Sequence, residues 1–128
     1  MEGYEELGFA REPRKQVRWR SRWARMRRDR QMGLLVRHVA RSRRLGINLL
    51  LDDFRGAGPT FARQMAMYLA HVELGRPQKT VAFLFGREPS SVSHACARME
   101  MLRDDPAVEA EIDGIERAFR TEAGRHAH

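Results

Sequence analysis

The chain has 128 residues and a single cysteine, Cys96. One thiol excludes an intrachain disulfide and any multi-cysteine zinc site. No set of histidines, cysteines and carboxylates has metal-ligand spacing. No nucleophile stands paired with a base. Neither a metal, a cofactor nor catalysis is therefore expected. Long apolar runs are also missing; stretches such as 47–51 are far too short to span a bilayer. The first ten residues hold Glu2, Glu5 and Glu6 and no basic, apolar prelude, so no secretory signal is expected. A phosphate loop of the form G-x-x-x-x-G-K-S/T is absent, and the length leaves no room for an ATPase domain. No alternating strand pattern and no repeat is present. The expectation is one small all-α domain with a tail, in the cytoplasm.

Charge is plentiful but unevenly placed. Lysine and arginine number 24 against 17 acidic residues, a net of +7. Positions 11–30 concentrate it: Arg11, Arg14, Lys15, Arg18, Arg20, Arg22, Arg25, Arg27, Arg28 and Arg30 face only Glu12 and Asp29. Residues 1–10 read as a flexible acidic end. From 14 to 30 helix formers dominate, and Trp19, Trp23 and Met26 fall on one helical face. That stripe can dock on the domain with the arginines in water. Alternatively, the segment is a nucleic-acid arm, with arginine on phosphate and tryptophan on bases. A membrane-surface helix is the third reading, against which the apolar face is narrow.

Helical periodicity continues from Leu34, with Leu35, Val36 and Val39 inward, until Gly46 breaks it. A short apolar helix follows over 47–53. Residues 55–60 read as a loop, with Thr60 capping a helix whose Met65, Leu69 and Val72 share one side. Gly75 and Pro77 end that helix, and the next buries Val81, Ala82, Leu84 and Phe85 before Gly86. Pro89 suits the first position of the following helix, where its missing N–H costs nothing. Val92, Cys96, Met99 and Leu102 form that helix's buried face. Asp104, Asp105 and Pro106 separate it from a last helix burying Val108, Ile112, Ile115 and Phe119. His38 and His71 are isolated on helices, and His126 and His128 fall in a frayed end. The methionines follow core spacing. The divisions are an arginine-rich tail or helix at 1–31, a helical domain at 32–121 and a disordered end at 122–128.

Two helices joined by a tight glycine turn, the second polar outside, describe a helix-turn-helix. Two motifs sharpen that reading. The first is Ala62-Arg63-Gln64-Met65-Ala66-Met67-Tyr68-Leu69-Ala70. The second is Phe85-Gly86-Arg87-Glu88-Pro89-Ser90-Ser91-Val92-Ser93-His94-Ala95-Cys96, continuing through Ala97-Arg98-Met99-Glu100. In this order and spacing they resemble the C-terminal DNA-binding domain (domain IV) of the bacterial replication initiator DnaA. Val39, Ala40, Leu50 and Leu51 keep the family spacing, and the resemblance covers about 34–120.

The resemblance implies a Trp-repressor-like helical bundle that binds double-stranded DNA. Arg87, Ser90, Ser91 and His94 match positions that contact DNA in the family. Arg63 and Gln64 match its phosphate-contacting pair, and Arg55 its minor-groove arginine. Glu88 stands where the family has aspartate, and Arg98 can hold a phosphate beside the reading helix. Departures are equally specific. Pro89 replaces a base-reading histidine, two threonines become Ser90 and Ser91, the turn has one glycine fewer, and the basic loop before Arg63 becomes Asp52-Asp53-Phe54-Arg55. Each good base contact carries about 1–3 kcal/mol of discrimination, so looser specificity is expected. The implied function is regulation of replication initiation or transcription at DnaA-box-like sites, in the nucleoid. The alternative is an initiator mimic that binds DnaA or one of its regulators, with weak or non-specific DNA binding.

Overall fold

The computed structural model describes residues 18–53 and 55–125; Phe54, the acidic end, positions 11–17, His126 and His128 lie outside them. The described residues form seven α-helices and no strand: α1 (Arg18–Met26), α2 (Arg30–Arg43), α3 (Ile47–Leu51), α4 (Ala57–Val72), α5 (Gln78–Phe85), α6 (Pro89–Leu102) and α7 (Pro106–Arg125). No helix among them is long and apolar enough to cross a membrane. No three of their histidines, cysteines and carboxylates gather as metal ligands would.

α4 is the central helix, packing against α2, α3, α5 and α6. Every residue from Met65 to Ala70 is buried, which its near-continuous apolar sequence demands. α7 closes the far side of α2 through Ile112, Ile115 and Phe119. α6 lies on α4 and α5 by Val92, Ala95 and Met99; Cys96 and Leu102 are only half-buried.

Several boundaries differ from the sequence reading, for local reasons. The expected helix over 14–30 is interrupted at 27–29, because Asp29 takes an extended conformation and caps α2, its carboxylate accepting from Met32 N at 3.2 Å. α4 begins at Ala57 behind Gly56, so Thr60 lies in its first turn and makes no cap. Val72, at the end of that helix, is 45% exposed. α7 runs through Arg125, so 122–125 are helical rather than disordered. His38 and Glu122 meet at 2.8 Å across α2 and α7.

α1 docks on the body. Met26 is buried, and Trp19 and Trp23 pack against the core. Its arginines do not all face water: Arg22 is buried, at the junction of α1 with α3 and α5. Arg76 of the α4–α5 turn grips Asp29 with two hydrogen bonds of 2.8 and 3.0 Å.

These pairings carry a pH signature. The Arg76 hydrogen bond holds Asp29 below its ordinary 3.8, against the opposing effect of burial. Burial raises Asp53, but Arg22, Arg87 and Arg18 outweigh it and hold that carboxyl low too. Depressed carboxylates stabilise the fold above their unfolded pKa and lose that contribution as pH falls through their folded values. The melting temperature is therefore expected to fall as pH drops from about 5 to below 3, and the fall should flatten in Asp29→Asn. A calorimetric pH series on both chains checks this; parallel curves would refute it.

Candidate functional site

Three arginines from different parts of the chain converge on the end of α3. A five-residue helix leaves most of its carbonyls without intrahelical partners. Arg22 Nη1 donates to Leu51 O at 2.7 Å. Arg63 donates from Nε to Leu50 O at 3.0 Å and from Nη2 to Asp52 O at 2.9 Å. Arg87 Nη2 donates to Asp52 O at 3.1 Å. Asp53 supplies the counter-charge, 3.0 Å from Arg22 and 3.6 Å from both Arg87 and Arg18. The acidic pair Asp52-Asp53, which reads in the sequence as a loss of cations, is thus the anchor of an arginine cluster.

That cluster sets the turn between α5 and α6. Gly86 ends α5 with φ of 68°, and its N–H donates toward Ala82 and Phe83 carbonyls. The Arg22 guanidinium covers it so closely that a Cβ there would lie 2.6 Å from Cζ. Arg87 and Glu88 then run to Pro89 at the start of α6, whose cap residue Glu88 makes no side-chain hydrogen bond to the helix. Glu88, Pro89, Ser90 and His94 are exposed there, and Ser91 is half-buried.

α4, the turn and α6 together line a cleft of about 210 Å³, formed by Thr60, Arg63, Gln64, Met67, Arg87, Ser91 and His94. Five residues singled out from sequence therefore share one surface. Arg98 joins them indirectly: its Nη1 donates to Gln64 Oε1 at 2.6 Å, and its guanidinium lies over Phe61. Glu88 and Ser90 stand at the exposed start of α6, outside the lining. Arg55 is exposed on the loop before α4, close enough for its charge to act on Arg87.

Arg63 differs most from its expected role. It is 6% exposed, and two of its hydrogen bonds run to backbone carbonyls at the end of α3. Burial, with the charges of Arg87 and Arg22, pulls its pKa down to about 10. Burial also lowers Arg87, helped by Arg22 and Arg55 and opposed by Asp53. Both remain cations at neutral pH. The shifts mark a crowded positive centre, which an anion at the cleft mouth would relieve.

Sequence reasoning missed two residues that support this site from outside the cleft lining. Arg22 was hidden by its neighbours in a run of arginines. Ser93 Oγ donates to Gln78 Oε1 at 2.7 Å, tying α6 to the start of α5, and no local pattern announces that bond. No protein-family model matches this chain, and no curated protein matches it either.

Proposed function

We propose that the protein is a DNA-binding module of the helix-turn-helix type, with α5 and α6 as the motif. In this reading it resembles domain IV of the initiator and regulates replication initiation or transcription at DnaA-box-like sites in double-stranded DNA. One observation carries the reading: Gln64, Arg87, Ser91 and His94 line one cleft over a crowded arginine centre, beside the exposed start of α6. Exposed hydroxyl and imidazole groups on the first turns of such a helix suit base edges. The uncapped N–H groups and positive centre suit a backbone phosphate.

In this reading Arg63 supports from beneath, giving field and rigidity, while Arg87, Arg98 and Gln64 meet phosphates. Pro89 offers no hydrogen bond from its side chain, so discrimination falls on Ser90, Ser91 and His94.

Ser91→Ala is expected to change the stability by no more than about 0.5 kcal/mol. It should narrow the affinity gap between a DnaA-box duplex and base-substituted boxes by about 1 kcal/mol or more. Gel shifts at about 150 mM salt measure this. Equal binding of the box and a scrambled duplex by the unaltered chain would refute sequence-specific recognition.

A second reading is favoured by one observation: Arg63 and Arg87 direct hydrogen bonds into the body rather than outward. In that reading the same face is an initiator mimic that engages DnaA or one of its regulators. Calorimetric titration with those purified proteins, in nuclease-treated samples, tests it; no heat of binding would remove it.

A further inference from the structure

A second basic surface shares no residue with the cleft between α4 and α6. A pocket of about 230 Å³ lies where α1 meets α2, with Gly33 and Leu34 in its lining. Trp23 forms one wall, and the Arg37 guanidinium lies 5.6 Å from its ring centroid. Arg27 and Arg30 stand exposed at the lining, and among the described residues neither side chain makes an ion pair or hydrogen bond. Arg22, Arg43, Arg76, Arg103 and Arg120, by contrast, all pair with carboxylates. Glu122 of α7 also lines it, with Oε1 engaged by His38 at 2.8 Å. Three guanidiniums thus line the pocket against one engaged carboxylate.

We propose that this pocket is a second nucleic-acid site and that it takes a single strand. Arg27 and Arg30 hold successive phosphates, and an unpaired base lies against Trp23 and Arg37. Guanidinium groups match phosphate oxygens two at a time. Indole and guanidinium planes are the surfaces on which unpaired bases stack, whereas bases within a duplex present only their edges. An acidic peptide would use the charge but bring no planar group to stack beside Trp23 and Arg37. A membrane surface needs an outward apolar face, and here the indole is half-buried within a pocket. The inference does not rest on the duplex-binding reading of α6, since the two ligands use separate residues.

The test uses the full chain and a labelled oligothymidylate of about twelve nucleotides. Affinity is followed by fluorescence anisotropy across a salt series near 150 mM, with duplex binding measured in parallel. Arg27→Gln with Arg30→Gln is compared with Arg41→Gln plus Arg125→Gln, which removes the same charge elsewhere on the surface. The first pair is expected to weaken oligothymidylate about tenfold or more and to lower the salt slope by about 1.4, at about 0.7 per phosphate. The control pair should change both far less. In Trp19→Phe, whose only indole is Trp23, oligothymidylate should quench the emission. Equal losses in the two double variants would reduce the site to diffuse charge and overturn it. So would unchanged Trp23 emission, or displacement of the strand by polyglutamate at equal charge concentration, which would make an acidic peptide the ligand. Duplex affinity that falls no further in the first pair than in the control separates this site from the α6 face.

Discussion

Arg63→Ala is expected to lower stability by about 2–4 kcal/mol, from a lost buried side chain and a stranded carbonyl at Leu50. The change removes two hydrogen bonds to α3. Leu50 O is left without the donor it now has, while Asp52 O retains Arg87. It also leaves a cavity beside a fully buried stretch of α4. Arg63→Met should lose somewhat less, because its aliphatic body fills part of that space. Removal of a phosphate-contacting arginine, the role that the resemblance implies for Arg63, would by itself weaken binding to every DNA sequence. The buried position reverses the order: the melting transition moves first, and DNA affinity falls with it. Urea unfolding of the purified variant decides between them. A midpoint within error of the unaltered chain, with weaker DNA binding, would show that Arg63 acts as a phosphate contact and not as a structural group.

Gly86→Ala should be the most damaging change in the turn, costing about 3 kcal/mol or more. Two penalties add. A φ of 68° alone costs an alanine about 1–2 kcal/mol. The new methyl must also displace the Arg22 guanidinium, since it would lie 2.6 Å from Cζ and Nη2. Displacing Arg22 breaks its bonds to Leu51 O and Asp53 and so loosens α1, α3 and the α5–α6 turn together. The two penalties are separable. With Arg22→Ala as background, the steric part disappears, so Gly86→Ala should then cost only the backbone strain. A double-mutant cycle by urea unfolding measures the difference. Additive effects, with no coupling, would mean that Arg22 and Gly86 are independent.

Helix content and most of the core were legible because both follow from local repeat. Leu35, Val36, Val39, Val81, Phe85, Val92, Met99, Ile112, Ile115 and Phe119 are buried where a period of 3.6 residues puts them. Pro89 begins α6 and Gly86 ends α5, because fixed negative φ and free positive φ are properties of those residues alone. The Trp19, Trp23 and Met26 stripe also docks, as one of the readings of its spacing had it. Less legible were the interruption at 27–29 and the start of α4. Both depend on which competing cap wins, a difference of about 1 kcal/mol or less.

Of the candidate site, the residue types were readable and their employment was not. Arg63, Gln64, Arg87, Ser91 and His94 do share a cleft, as two motifs brought together by helix packing would predict. Yet nothing in the run of arginines distinguishes Arg22, which is buried, from Arg27 and Arg30, which are exposed. The sequence by itself determined the all-α class of the described residues, the turn at Gly86 and Pro89, and most of the apolar stripes that face inward. Only the tertiary structure decided which cations became internal. A guanidinium tolerates burial only where carbonyls and a carboxylate meet it. Those partners lie far along the chain: Leu51 is 29 residues from Arg22, and Asp52 is 35 from Arg87. Hydrophobic periodicity is a one-dimensional property of each helix, whereas the satisfaction of a buried charge depends on packing several helices at once.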